Sequence, residues 1–186
     1  LMKVRQIIAN EKLKHTKELI NNSLEQDKKI IVFTNFTAPL MELGSEYPDI
    51  SVLLHGQMSK DQRQKSVDLF QTDPNIKIFI SNLKAGGVGL NLTAANHVFH
   101  YDRWWNPAIE NQATDRAYRI GQLKNVQVHK FVCTGTLEER IDQMIEQKME
   151  LAENILGSGE QWISELSAGQ LRDMLVLRES ALEDEE

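Results

Sequence analysis

The run Ile30-Ile31-Val32-Phe33 is short, apolar throughout and without polar alternation. Successive side chains of a strand point to opposite faces. An all-apolar run of this length must therefore be covered on both faces, which is the setting of a parallel sheet sandwiched between helices. Four more short stretches follow it: Ser51-Val52-Leu53-Leu54, residues 76–80, Val98-Phe99-His100-Tyr101 and residues 126–132. Helical punctuation lies between them. Pro39 stands in a helix opening over 39–43, and Tyr47-Pro48-Asp49 is a turn. Ser59-Lys60-Asp61-Gln62 is a capping box, with Ser as N-cap and Gln three residues on. The helix it opens buries Val67 and Phe70 and stops before Asp73-Pro74. Asn106-Pro107 gives an N-cap and a proline at the first helical position, with Glu110 in the first turn. Strands alternating with helices at this spacing predict an α/β fold, a parallel sheet with helices on both faces.

The two ends differ from the middle. Residues 3–24 place Val4, Ile7, Ile8, Leu19 and Ile20 at spacings that suit one or two helices. Thr136-Leu137-Glu138-Glu139 is a second capping box. After it, Leu137, Ile141, Met144, Ile145, Leu151 and Ile155 share one helical face, and Gly157-Ser158-Gly159 ends that helix. Ser167 is placed to cap a last short helix through Leu175, and Glu183-Asp184-Glu185-Glu186 reads as a frayed acidic end. The expected organisation is a leading helical connector over 1–27, a lobe over 28–135 and a C-terminal helical extension over 136–186.

A chain of 186 residues buries a core without disulfides. Leu1 ahead of Met2 suggests a fragment of something longer. The lone cysteine, Cys133, sits on a buried-looking strand and fits a reducing compartment, cytoplasm or nucleus. No apolar run approaches the roughly 18 residues of a membrane helix. The net charge of -6 excludes a small basic DNA-coating protein but leaves room for a local basic groove.

Open α/β sheets bind ligands at the loops leaving the C-terminal ends of their strands. The loop after the third strand runs Lys84-Ala85-Gly86-Gly87-Val88-Gly89-Leu90-Asn91-Leu92, with three glycines in four residues. Such a loop allows close backbone approach and offers N–H groups to a phosphate or ribose. It is also compatible with a plain tight connection, and it lacks the third glycine of a dinucleotide fingerprint. Arg116 and Arg119 are three apart, which places them on one face of the helix begun at Pro107. Paired guanidiniums suit a polyphosphate, although a solvated pair has the same spacing. Trp104-Trp105 invites a partner or nucleic-acid surface, or fills core. His97 and His100 point to opposite faces of one strand and do not share a metal; His15, His55 and His129 stand alone. No metal site is expected. The sequence contains no GxxxxGK[ST] phosphate loop and no Asp-Glu pair at a strand end.

Taken together, the glycine loop and the run from Trp105-Asn106-Pro107 through Gln112-Ala113 to Asp115-Arg116-Ala117-Tyr118-Arg119-Ile120-Gly121-Gln122 resemble a known family. The chain is similar, over about 28–155, to the second RecA-like lobe of the Swi/Snf-related, helicase-like ATPases of superfamily two. Tyr118 stands where many members have histidine. The resemblance implies an ATP-driven translocase on double-stranded DNA, with ATP and Mg2+ in the cleft between two lobes. The first lobe, which would hold Mg2+ and the phosphate loop, is absent from this sequence, so the fragment is expected to be inactive alone. The resemblance implies further that Arg116 and Arg119 are arginine fingers and that Gly86, Gly87 and Gly89 touch the nucleotide. Contacts to the DNA backbone would come from Asn35, Phe36, His55, Gly56, Ser59, Lys60, Ser81, Lys84 and Trp105. The segment from Thr136 resembles the family's brace helix.

Two other readings make different demands. A Rossmann-type enzyme using a dinucleotide or S-adenosylmethionine needs its glycine loop after the first strand and a carboxylate after the second. Here those strands end in Thr34-Asn35-Phe36 and His55-Gly56. A non-catalytic interaction module would use Trp104, Trp105 and the C-terminal helix and be indifferent to the two arginines.

Overall fold

The computed structural model describes residues 8–9, 11–83, 90–104, 106–119 and 122–151, with residues 169 and 172, and for 147–151 only the backbone. The elements are α1 (Leu13–Glu25), β1 (Ile30–Thr34), α2 (Thr37–Glu46), β2 (Ser51–Leu54), α3 (Lys60–Thr72), β3 (Ile78–Asn82), β4 (His97–His100), α4 (Pro107–Thr114), β5 (Gln127–Lys130) and α5 (Leu137–Leu151). The five strands form one sheet in the order β2-β3-β1-β4-β5, with every pairing parallel. This is the expected α/β architecture, with β1 at its centre.

All five residues of β1 are buried. On one face Ile31, Phe33, Val52, Phe79 and Val98 pack with Val67 and Phe70 of α3 and Ala113 of α4. On the other, Ile30, Val32, Ile78, Ile80 and Phe99 pack with Leu13 and Ile20 of α1 and Leu40 and Leu43 of α2. β3 begins later than expected, at Ile78, and extends through Ser81 and Asn82. Its register sets Ile78 opposite Ile30 and Asn82 opposite Thr34, so backbone pairing carries it into polar residues. β5 is shorter than expected because its only partner among the described residues, β4, is four residues long. Cys133 consequently lies beyond the strand, half-buried. The expected helix through Ile155, the glycines after it, the last short helix and the acidic end fall outside the described residues, as do Val4 and Ile7.

Local capping works as the sequence implies. Ser59 Oγ accepts from Gln62 N at 3.2 Å, and Gln62 Oε1 accepts from Ser59 N at 2.9 Å. Asn106 Oδ1 accepts from Ala108 N at 3.0 Å. At the start of α5 the box is displaced by one residue. Thr136 Oγ1 accepts from Glu138 N, and Glu139 accepts from Gly135 N instead of from the cap residue.

Glu138 is free for this reason to serve another purpose. It is buried and pairs with Lys12, which is buried as well. The Lys12 ammonium also donates to the carbonyls of Tyr101 and Phe131, each at 2.8 Å. Ile8 packs with Leu137, Ile141 and Ile145 beside it. The leading segment and α5 are thereby stapled together against the exits of β4 and β5. Removing one member of a buried pair strands the other charge, at a cost of about 3–5 kcal/mol. Lys12→Met should lower the unfolding free energy by that amount in urea titration, and adding Glu138→Leu should restore most of it. A neutral Lys12→Met would contradict the staple.

Candidate nucleotide and DNA interface

The C-terminal ends of β1, β3 and β4 converge on one edge of the sheet. The exit of β1 is fixed by a carboxylate from β4's exit. Asp102, fully buried, accepts from Asn35 N with both oxygens (2.8 and 2.9 Å), from Asn35 Nδ2 at 2.9 Å and from Thr34 Oγ1 at 3.2 Å. Asn82 Nδ2 donates to Asn35 O at 3.2 Å, and Leu83 N donates to Thr34 O at 3.1 Å. Phe36 turns inward: its side chain is buried in the core against α1 and α2, and its N–H bonds Thr34 Oγ1. Ser81 is fully buried and bonds Asn82 O. Neither offers a side chain to the surface; what they supply is the shape of the loops around them.

The exit of β2 is open. Gly56 is exposed, and a Cβ built on it meets nothing within 4 Å. Arg63 from α3 shapes this turn by donating to Met58 O at 3.0 Å and Gly56 O at 2.8 Å. Ser59 and Lys60 follow, both exposed, at the N-terminus of α3. His55 is partly exposed beside them.

The arginines do not share a helical face. α4 ends at Thr114, and the chain continues in tight turns, with Arg116 N bonded to Ala113 O and Ala117 N to Thr114 O. The Arg116 carbonyl, which a longer helix would have engaged internally, accepts from Leu92 N at 2.9 Å instead. This tertiary bond joins the arginine turn to Leu92, at the far end of the glycine loop, and Leu83, just before that loop, is held by β1. Arg116 is 7% exposed and its guanidinium carbon lies 5.8 Å from the Phe33 ring centre. Burial lowers its pKa. Arg119 is exposed. The Tyr118 hydroxyl donates to Val126 O, which anchors this turn to the start of β5. Lys84, Gly86, Gly87, Gly89 and Trp105 lie outside the described residues.

Behind Arg116, His100 stacks on Phe33 at 5.6 Å, and its Nε2 lies 2.8 Å from Thr114 Oγ1. Trp104 is buried in the core. The next residue back, Arg103, reaches Glu110 Oε2 at 2.5 Å and Asp142 Oδ1 at 2.7 Å. Glu110 in turn accepts from Trp104 N at 2.8 Å and faces Lys130 at 3.4 Å. Sequence reasoning missed Asp102, Arg103 and His100 as organisers of this edge. Their one visible signal was a run of polar residues at the end of an apolar strand and directly after it. His129 is not isolated, since its Nε2 lies 3.1 Å from His97 Nδ1. Among the described residues no group of three or more His, Cys, Asp or Glu side chains could hold a metal ion.

An all-parallel lobe with loops of this kind along one sheet edge is a RecA-like, helicase-type lobe. The chain belongs to the helicase conserved C-terminal domain family, which matches residues 11–121, and within it to the Swi/Snf-related group. It is 47% identical over 174 residues to the putative ATP-dependent helicase/translocase YwqA of Bacillus subtilis, covering 91% of this chain and 19% of that protein. The chain thus spans less than a fifth of that relative. The Sulfolobus solfataricus SWI2/SNF2 ATPase core in complex with dsDNA matches with a TM-score of 0.73 and 41% identity, over 88% of this chain and 35% of that one. The C-terminal domain of that ATPase matches with a TM-score of 0.69 and 39% identity, over 88% of this chain and 68% of that one. No helix among the described residues is long and apolar enough to cross a membrane.

His100 gives this edge a pH signature. Burial, then the charges of Lys130 and Arg103, push its pKa from 6.5 down to about 3. Between those values the unfolded chain binds a proton that the folded chain refuses, so this group's contribution is complete above about 6.5 and declines toward 3. Lowering the pH from about 6.5 to about 5 should cost about 2 kcal/mol through His100. His100→Phe, which keeps the stack on Phe33, should flatten the denaturation profile in that interval. An unchanged slope would contradict the assignment.

Proposed function

We propose that this chain is the nucleotide- and DNA-contacting second lobe of an ATP-driven translocase on double-stranded DNA. The observation that carries the reading is the Arg116 turn. One guanidinium is buried against the central strand and the next is exposed, and the same turn is tied by backbone to the glycine loop. A desolvated guanidinium held by packing is suited to charge that develops on a transferring phosphoryl group. In this reading Arg116 and Arg119 act as arginine fingers on ATP bound between this lobe and the first one, while Gly86, Gly87 and Gly89 contact the nucleotide. The residues present fit such a role: they supply positive donors, and among the described residues no acidic cluster could hold a metal ion; in this reading Mg2+ and the phosphate loop would be held by the first lobe. ATP supplies the phosphoryl chemistry when bound. The residues of this chain orient it and neutralise its charge.

Asn35, His55, Gly56, Ser59, Lys60, Lys84 and Trp105 form the DNA-contacting edge, with Phe36 and Ser81 shaping it from within. A helix N-terminus, an exposed glycine and a lysine address backbone phosphates, so binding is independent of sequence and weakens with salt. The solved relative in complex with dsDNA supports this choice of ligand. The leading segment over 1–27 is the connector from the first lobe, and the segment from residue 136 is the brace extension. Such a motor works in a prokaryotic cytoplasm or a nucleus.

In the full-length protein, Arg116→Ala and Arg119→Ala should each lower DNA-stimulated ATP hydrolysis by about a thousandfold or more, with thermal unfolding of the Arg119 variant unchanged. Hydrolysis near the parental rate would sink the finger assignment. The isolated 186-residue chain should release no phosphate from ATP above background, with or without DNA. Release at the rate of the full-length motor would contradict the two-lobed site.

A further inference from the structure

We propose that Asp102 is a positioning residue that locks the DNA-contacting loop after β1 to the exit of β4, so that the two move as one body. The inference rests on the reading of Asn35 as part of the DNA edge and goes beyond it, because Asp102 itself touches no ligand.

The geometry is that of a clamp. The chain leaves β1 at Thr34 and is irregular at Asn35 and Phe36, where side chains meet several of its polar groups. The Asp102 carboxylate takes Asn35 N in both oxygens and Asn35 Nδ2 and Thr34 Oγ1 besides. Asn82 Nδ2 bonds Asn35 O, and Thr34 Oγ1 accepts from Phe36 N. Hydrogen bonds to an ionised carboxylate are the strong ones, and this carboxylate is fully buried, where screening is least. β1 and β4 already pair along their length, from Ile30 with His97 to Phe33 with His100. Asp102 continues that attachment past the last ladder position, where two diverging loops would otherwise separate.

The adjacent residue turns the other way. Arg103 bridges Glu110 of α4 and Asp142 of α5, and Glu110 holds Trp104 N. Two consecutive residues thus join the β1 loop, α4 with the arginine turn beyond it, and the C-terminal helix. DNA pressing on the Asn35 loop pushes on β4's exit with no soft element in between. The side-chain amide of Asn has nearly the shape of Asp but one oxygen fewer, and its NH2 would face the donors Asn35 N and Nδ2.

The test is steady-state ATP hydrolysis by the full-length protein, titrated with a linear duplex. Asp102→Asn should raise the DNA concentration for half-maximal stimulation by about tenfold, while the rate at saturating DNA stays within about threefold. Thr34→Val removes the hydroxyl that donates to Asp102 and accepts from Phe36 N, and should raise the half-saturating concentration by about threefold. It serves if Asp102→Asn does not fold. Lys60→Ala separates the two levels of the argument. If it weakens DNA dependence and Asp102→Asn does not, the clamp is wrong and the DNA edge stands. If neither does, both fall. An equal loss of maximal rate and of apparent DNA affinity in a folded Asp102→Asn protein would also overturn the proposal, since it would mark a merely structural carboxylate.

Discussion

The complete burial of β1 is the constraint from which the rest of this structure follows. Five consecutive residues with no access to water require a sheet neighbour on each side and helices above and below. That requirement places β3 and β4 beside it and sends α1 and α2 to one face and α3 and α4 to the other. With both faces covered, the backbone can meet another molecule only at the ends of the strands. The C-terminal end is where β1, β3 and β4 release Asn35, Leu83 and Asp102. Function in this lobe is confined to an edge because its centre admits no water.

The same strand also offers an aromatic surface to a buried arginine. Phe33, the last fully apolar residue of β1, meets both the His100 ring and the Arg116 guanidinium. A neutral imidazole at this place avoids a second positive charge near Arg116, Arg103 and Lys130, and burial keeps it neutral far below the pH at which histidine usually charges. Elsewhere charges are neutralised in pairs across distant elements, as with Lys12 and Glu138 or Arg103 with Glu110 and Asp142.

Features set by neighbours in the chain were legible in the sequence. The Ser59 and Asn106 caps depend on contacts within a few residues, and the parallel α/β class is announced by the local apolar pattern of each strand. Features set across the fold were not. Asp102 and Asn35 are 67 residues apart, and nothing local to Tyr101-Asp102-Arg103 indicates which loop the carboxylate will hold. The end of α4 shows the same limit. Residues 115–119 contain neither glycine nor proline, yet the helix stops at Thr114 and the chain goes on in tight turns, with the Arg116 carbonyl bonded to Leu92 N from across the fold. Spacing by threes therefore gave the wrong geometry for the two arginines, of which Arg116 is buried and Arg119 exposed. Phe36 fell on the motif as a contact residue, and its side chain belongs to the core.

A structure of the full-length protein with DNA and a transition-state mimic of ATP would test most directly whether this edge completes an active site. The account predicts both the Arg116 and Arg119 guanidiniums at about 3 Å from oxygens of the β- or γ-phosphate mimic, with the Asn35 loop against the DNA backbone. Guanidiniums turned away from the nucleotide while the two lobes are closed around it would contradict it.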